Sequence, residues 1–266
     1  MKSQHIGMGL VLFEDVFDID DRDLYSYIKW LEEDEEDTFT YHSSEEQDFA
    51  KNKAGFKFKK EEVQVAPQRL HDLTGFINNR DIPEHHLQVF NSLKEASYNI
   101  LVEYCRYFPE CQTTAWWLAL PHIARYTEGQ GIGLHCDNQI PFEWGEPTMS
   151  QVSLHNTCSI NIYLNDCEDD GVSNTTTTYT GGHIRYPNAD FELIPKKATA
   201  VVYPSNYIGR HEVSTVNSGV RYAYLVNVCQ GTSLDSPEKV GQENNMKTWL
   251  PSLTADVQGN RQLDLF

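Results

Sequence analysis

Cys158-Ser159-Ile160-Asn161-Ile162-Tyr163-Leu164-Asn165 alternates in character at every step. Successive side chains of an extended chain point to opposite sides, so Ser159, Asn161 and Tyr163 share one face and Ile160, Ile162 and Leu164 the other. The apolar face is made for a core, and the polar face must meet something other than hydrocarbon. Similar short runs surround this one. Trp116 to Tyr126 is apolar and aromatic, and Gly182 to Tyr186, Phe191 to Ile194, Thr199 to Tyr203 and Val220 to Cys229 follow, separated by turn residues. Many short strands without intervening helices imply an antiparallel sandwich or barrel.

Upstream of Thr113 the texture is different, and the first hundred or so residues read mostly as helix. Asp20 or Asp21 can cap a helix with Leu24, Ile28 and Leu31 at helical spacing, which runs into the acid block Glu32 to Asp37. A second helix over roughly 83–107 carries Val89, Leu93, Ala96, Ile100 and Tyr104 on one face and stops before Pro109. The expected fold is mainly β with supporting helices in one compact domain. Residues 1–112 form a mostly helical support, 113–231 the β core, and 232–266 an extension with Trp249, Leu250 and Leu253 as anchors. The lysines 51, 53, 57, 59 and 60 read as a solvated cluster.

The net charge of −18 repels polyanions, so nucleic acid is not an expected partner. Six cysteines show no C-x-x-C pair in a chain of 266 residues that needs no disulfide staples, which points to reduced thiols in a cytoplasm. The apolar stretch Ile6 to Phe13 is too short for a signal peptide or a membrane span. A soluble, cytoplasmic protein without a membrane partner is expected.

The chemistry begins at His135-Cys136-Asp137. Side chains at i and i+2 of a strand share a face, so His135 and Asp137 can reach one metal ion. The pair alone is weak: with 10 histidines and 39 acidic residues in 266, chance supplies 10 × 39/266, or ~1.5, His-x-acid pairs. Its company is specific. His211 stands 76 residues on (211 − 135), and Arg221 another 10 (221 − 211), at the start of an apolar strand. Two histidines and a carboxylate leave open positions on iron, as non-haem Fe(II) oxygenases require. A dicarboxylate cosubstrate would fill two of them and present its far carboxylate to an Arg fork. Arg221 buried without an anion would cost several kcal/mol, so an anionic partner is expected.

The ordered pieces Arg125-Tyr126, Gly129, Gly131 and Gly133, His135-Cys136-Asp137-Asn138, Ile162-Tyr163-Leu164-Asn165, Gly181-Gly182 to Arg185-Tyr186-Pro187, Pro195 to Ala200, His211-Glu212-Val213 and Gly219 to Tyr222 resemble a known family. Residues 120–230 look like the double-stranded β-helix (jelly-roll, cupin-like) domain of the Fe(II)/2-oxoglutarate oxygenases, nearest the prolyl 4-hydroxylases and the hypoxia-sensing prolyl hydroxylases. The resemblance implies Fe(II) on His135, Asp137 and His211, with 2-oxoglutarate on Arg221 and O2 as oxidant. Ascorbate is a fitting reductant. It also places Tyr163 at the distal carboxylate and Tyr126 near the iron, while strand alternation adds Asn161 to the cosubstrate side. Two departures stand out. The loop from Gln139 to Thr157 is long, with Trp144, Pro147 and His155, and Ala198 replaces a common glycine.

The implied reaction hydroxylates a C–H bond while 2-oxoglutarate becomes succinate and CO2. A carboxylate at Asp137 favours hydroxylation over halogenation, which needs a small residue there. The substrate expected from the resemblance is a peptidyl residue such as proline. The alternatives are a free amino acid or other small molecule, a cupin-type enzyme independent of 2-oxoglutarate, and a non-catalytic metal- or ligand-binding β-helix protein. His122, His155 and His183 are read as non-ligands.

Overall fold

The computed structural model of the chain describes residues 1–32, 38–40, 68–71, 83–119, 121–138, 155–168, 177–231, 247–250 and 253–257. The lysine cluster of 51–60 lies outside these residues, as do Trp144 and Pro147. In chain order, the first strands are β1 (Lys2–Gly7), β2 (Leu10–Glu14), β3 (Thr38–Thr40), β4 (Gln68–His71), β5 (Trp117–Ala119) and β6 (His122–Tyr126). Then come β7 (Ile132–His135), β8 (Asn156–Tyr163), β9 (Asp166–Cys167), β10 (Thr178–Gly181), β11 (Ile184–Tyr186) and β12 (Phe191–Leu193). The last are β13 (Ala200–Pro204), β14 (His211–Val213), β15 (Val216–Gly219), β16 (Arg221–Cys229) and β17 (Lys247–Trp249). The helices are α1 (Asp21–Glu32), α2 (Glu84–Tyr107), α3 (Cys111–Thr114) and α4 (Leu253–Val257).

Ten strands make one sheet in the order β1-β2-β13-β8-β16-β6-β4-β3, with β5 joined to β16 and β17 to β5. A second sheet runs β12-β11-β14-β7, and a third β15-β10-β9. Among the described residues all pairs are antiparallel except β9 with β10. The architecture is a double-stranded β-helix, the jelly-roll core expected from the strand pattern and the motifs.

Alternation along β8 divides the interior into two cores. Cys158, Ile160, Ile162 and Leu164 pack with Leu24, Tyr27 and Ile28 of α1 and with Leu93 and Ile100 of α2. Tyr163 lies on the other side, with Tyr126, Ile184, Tyr186, Tyr203 and Val213 between the two larger sheets. Strand β16 divides likewise, Tyr222, Tyr224, Val226 and Val228 facing the helices and Ala223 the interior. Polar contacts tie α1 to the back of the sheet. Glu32 pairs with Arg125 at 2.7 Å and accepts a hydrogen bond from the Tyr222 hydroxyl at 2.9 Å.

The amino-terminal region departs from its helical reading. Lys2–Glu14 is a hairpin that enters the large sheet through the β2–β13 pairing. Gly7, Met8 and Gly9 all have positive φ at its turn, and Leu10, Val11 and Phe13 are buried. An apolar run this short gains more by completing a sheet than by coiling alone. Residues 38–40 and 68–71 also add strands there. Near the other end, β17 pairs with β5, and Leu250 and Leu253 are buried in the helical core.

Ala198 takes φ +58°, a left-handed conformation that costs an L residue with a Cβ about 1–2 kcal/mol. Its N–H donates to the Tyr163 carbonyl and its own carbonyl accepts from Val16 N–H, both at 3.0 Å, so the turn cannot relax cheaply. A glycine, having no Cβ, would take this conformation without that cost. Ala198→Gly is expected to raise the unfolding free energy by about 0.5–1 kcal/mol in a denaturant titration, even though glycine loosens the unfolded chain. A loss of stability would contradict the strain.

Candidate active site

His135 ends β7 and His211 begins β14, and the two residues are direct partners across the antiparallel pair. Their rings therefore face the same way, with centroids 4.3 Å apart. Asp137 is not on the strand, as the i, i+2 reading assumed, but in the turn that follows it. The next residue anchors that turn: Asn138 N–H donates to the Ser205 carbonyl at 3.1 Å. The carboxylate still converges on the histidines, Asp137 Oδ1 lying 3.5 Å from His135 Nε2 and 3.8 Å from His211 Nε2. One ligand atom from each of the three residues lies within 4.8 Å of the others, a group able to hold one metal ion.

The tautomers suit this task. A carbonyl can only accept, so His135 Nδ1–H donates to Gly133 O at 2.8 Å and His211 Nδ1–H to Gly209 O at 3.1 Å. Each Nε2 is left with a bare lone pair aimed at the shared centre.

Arg221 and Tyr126 are direct partners in the β16–β6 pairing. The guanidinium lies 4.6 Å from the Tyr126 ring centroid and 5.6 Å from that of Tyr163. It is 2 % exposed, and among the described residues neither Nε nor Nη1 has a hydrogen-bond partner. The hydroxyls of Tyr163, Tyr179 and Tyr186 are buried around it, with no carboxylate or carbonyl to donate to among the described residues. Burial works against the charge of Arg221, but the surrounding Tyr179, Tyr126, Tyr163 and Tyr186 outweigh it and keep its pKa above the usual arginine range. Among the described residues no carboxylate pairs with it. A buried cation ringed by phenols, with no carboxylate beside it among the described residues, could take up an anion. Tyr186 links the two halves, since its ring stacks on His211 at 5.4 Å and packs against the same core as Tyr163.

Residues 121–228 match the model of the 2OG-Fe(II) oxygenase superfamily. The chain carries a 2OG-Fe(II) oxygenase domain. It is an iron- and 2-oxoglutarate-dependent dioxygenase, with O2 as the further reactant. Curated proteins provide no match. Among solved structures, a viral collagen prolyl hydroxylase from Paramecium Bursaria Chlorella virus-1, as its 2OG complex, is similar with a TM-score of 0.50 at 13% identity. The match covers 84% of this chain and 96% of that one, and it speaks to the fold. A Pseudomonas putida prolyl-4-hydroxylase matches at TM-score 0.48 and 13% identity, covering 84% and 94%. A Trichoplax adhaerens prolyl hydroxylase in complex with a hypoxia inducible factor peptide fragment matches at 0.46 and 12%, covering 84% of each chain.

Within the oxygenase domain, Tyr126 and Tyr163 lie at Arg221. Asn161 shares the inner face of β8 but donates its amide to the Tyr203 hydroxyl at 3.0 Å. His155 sits near the Trp117 ring at 6.4 Å, and His183 faces Glu192 at 3.1 Å, both apart from the triad. Tyr179, Tyr186 and Tyr203 were missed in the sequence. Tyr186 belongs to the Arg185-Tyr186-Pro187 motif, and Tyr203 shares the phase of Val201 on its strand, but only the sheet register shows where they point. No helix among the described residues is long and apolar enough to cross a membrane.

Burial pushes the His211 imidazole down to about 4, helped by His135 and opposed by Asp137. Burial alone would raise the Asp137 carboxyl, but the neighbouring His211 and His135 rings hold it below the usual carboxylate range. An unfolded histidine titrates near pH ~6.5 and so binds its proton first. The stability contributed by a neutral His211 is therefore complete above pH 6.5 and lost as pH falls towards 4. Asp137 acts in the same direction at still lower pH. Thermal melts of the metal-free domain should fall in temperature from pH 7 to pH 4, with a shallower slope in His211→Asn. Equal slopes in the two proteins would contradict a buried neutral imidazole.

Proposed function

We propose that this oxygenase hydroxylates a C–H bond: one oxygen atom of O2 enters the substrate, the other enters 2-oxoglutarate, and the latter leaves as succinate and CO2. His135, Asp137 and His211 hold the iron in this reading, and Arg221 holds the distal carboxylate. The observation that carries it is Arg221 itself, a buried guanidinium with unsatisfied Nε and Nη1, set among phenols beside the three-ligand group.

When bound, the iron supplies the oxidising chemistry. The protein's own contribution is geometric. Gly133 and Gly209 carbonyls fix the imidazole tautomers. Arg221 accepts a carboxylate in a fork, and the hydroxyls of Tyr163, Tyr179 and Tyr186 are placed to donate to it. Their rings, with Tyr126, keep water from that end of the barrel and strengthen the charge pairing. Asp137, a carboxylate in place of a small residue, supports hydroxylation over halogen transfer.

For the substrate we propose a peptidyl residue such as proline. The prolyl-hydroxylase-type motifs between Arg125 and Tyr222 support it, and the likeness to a collagen prolyl hydroxylase fits without extending beyond the fold. The domain arrangement proposed from the sequence, a support, a β core and an extension in one compact unit, goes with this reading.

Succinate release with iron and 2-oxoglutarate, across peptides, amino acids and nucleotides, tests the proposal. A peptide should stimulate it. Stimulation by free amino acids alone would move the substrate class, and no release under any condition would leave a binding protein. Asp137→Ala should abolish release. Arg221→Ala should raise the 2-oxoglutarate requirement about 100-fold, near the ~3 kcal/mol lost when a buried ion pair is broken. An unchanged requirement would favour a cupin-type enzyme independent of this cosubstrate.

A further inference from the structure

Tyr203 is fully buried on the inner face of β13, and its hydroxyl is the meeting point of three groups. It lies 2.9 Å from Asp137 Oδ2 and 3.3 Å from His211 Nε2, and Asn161 Nδ2 approaches at 3.0 Å. Hydrogen-bond capacity orders this contact. A hydroxyl has one proton to give, and an ionised carboxylate at the shorter distance is the stronger acceptor. The Tyr203 proton therefore goes to Asp137 Oδ2. Its oxygen, now an acceptor, takes one N–H from the Asn161 amide, which fixes that amide with its carbonyl turned away. Asn161 Oδ1 is the atom left without a partner, as this order requires.

His211 completes the logic. Its Nδ1–H is committed to Gly209, so Nε2 has no proton to offer Tyr203. The 3.3 Å approach is two lone pairs side by side, a contact that a cation between His211 and Asp137 relieves.

The geometry points to Tyr203 and Asn161 as positioning residues that hold Asp137 by Oδ2, so that Oδ1 alone is offered to the metal. This rests on the reading of His135, Asp137 and His211 as the iron site. The need for such a brace is visible in the backbone. Asp137 lies in a turn beyond the end of β7, where no strand ladder sets its side chain, and its Oδ1 already faces both Nε2 atoms at 3.5 and 3.8 Å. The Asn161–Tyr203–Asp137 line also gives the polar face of β8 a task beside the metal, distinct from that of Tyr163 at Arg221.

The test is Co(II) binding to the full chain without 2-oxoglutarate or substrate, followed by visible absorption. Tyr203→Phe keeps the ring against His211 and Tyr186 and removes only the hydroxyl. It should weaken Co(II) binding about 10- to 100-fold, the range for groups that orient metal ligands, and shift the Co(II) absorption as the carboxylate is freed. Asn161→Ala should move both readouts the same way but less. The double variant should bind no more weakly than Tyr203→Phe alone, because Asn161 acts through the hydroxyl. Wild-type affinity and spectrum in Tyr203→Phe would overturn the assignment. So would a lower melting temperature of the metal-free protein with an unchanged Co(II) spectrum, which marks a purely structural hydroxyl. If Tyr203→Phe fails to fold, Asn161→Ala decides: a weakened, shifted complex supports the brace and wild-type values overturn it. Asp137→Ala binding Co(II) as tightly as wild type would instead defeat the metal site, and the brace with it.

Discussion

A buried guanidinium with no carboxylate beside it among the described residues is the constraint around which this domain is arranged. Taking an arginine out of water is costly, and that cost is ordinarily offset by an acid in ion-pair contact. Here the described surroundings of Arg221 are the aromatic faces and hydroxyls of Tyr126, Tyr163, Tyr179 and Tyr186. Phenols favour the charge without neutralising it. The surroundings of Arg221 therefore keep a standing attraction for an anion.

The end at His135, Asp137 and His211, which could hold a metal ion, is built on a different principle. Three acceptor atoms that would repel one another are brought together by backbone register, His135 opposite His211, and by carbonyls that remove the protons from the facing ring nitrogens. Lone pairs held within a few ångströms repel one another, and a cation among them would relieve that repulsion. The β8 strand connects the two ends. Tyr163 serves the arginine, and Asn161, two residues earlier on the same face, reaches Tyr203 and through it Asp137. One period-two repeat thus spans the active site, with its apolar side supplying Ile160 and Ile162 to the helical core.

Much of this was legible in the sequence because it is written locally. Alternation in 158–165 announced the strand and its faces, and ordered motifs announced the jelly roll. Arg221 in an apolar strand announced a buried charge in need of an anion. What escaped depended on long-range pairing. The stretch Ile6 to Phe13 was read only as too short for a signal peptide or membrane span, and its place in a hairpin becomes clear only when the edge of β13 is known, although Gly7-Met8-Gly9 is a turn signal. Asp137 looked like a strand residue, and the end of β7 at His135 cannot be seen in a pattern of four residues. Tyr179, Tyr186 and Tyr203 come from three separate strands, so their convergence is a property of register that no single segment carries. Ala198 was noticed as an oddity, and its left-handed backbone supplies the reason.

The most direct test of the account is a crystal structure of the protein grown anaerobically with Mn(II) and 2-oxoglutarate. It should show the ion on His135 Nε2, His211 Nε2 and a single oxygen of Asp137, with the far carboxylate of 2-oxoglutarate on Arg221 among the tyrosine hydroxyls. An ion bound elsewhere, or Arg221 paired with an acidic side chain of its own chain while the cosubstrate lies outside the barrel, would contradict it.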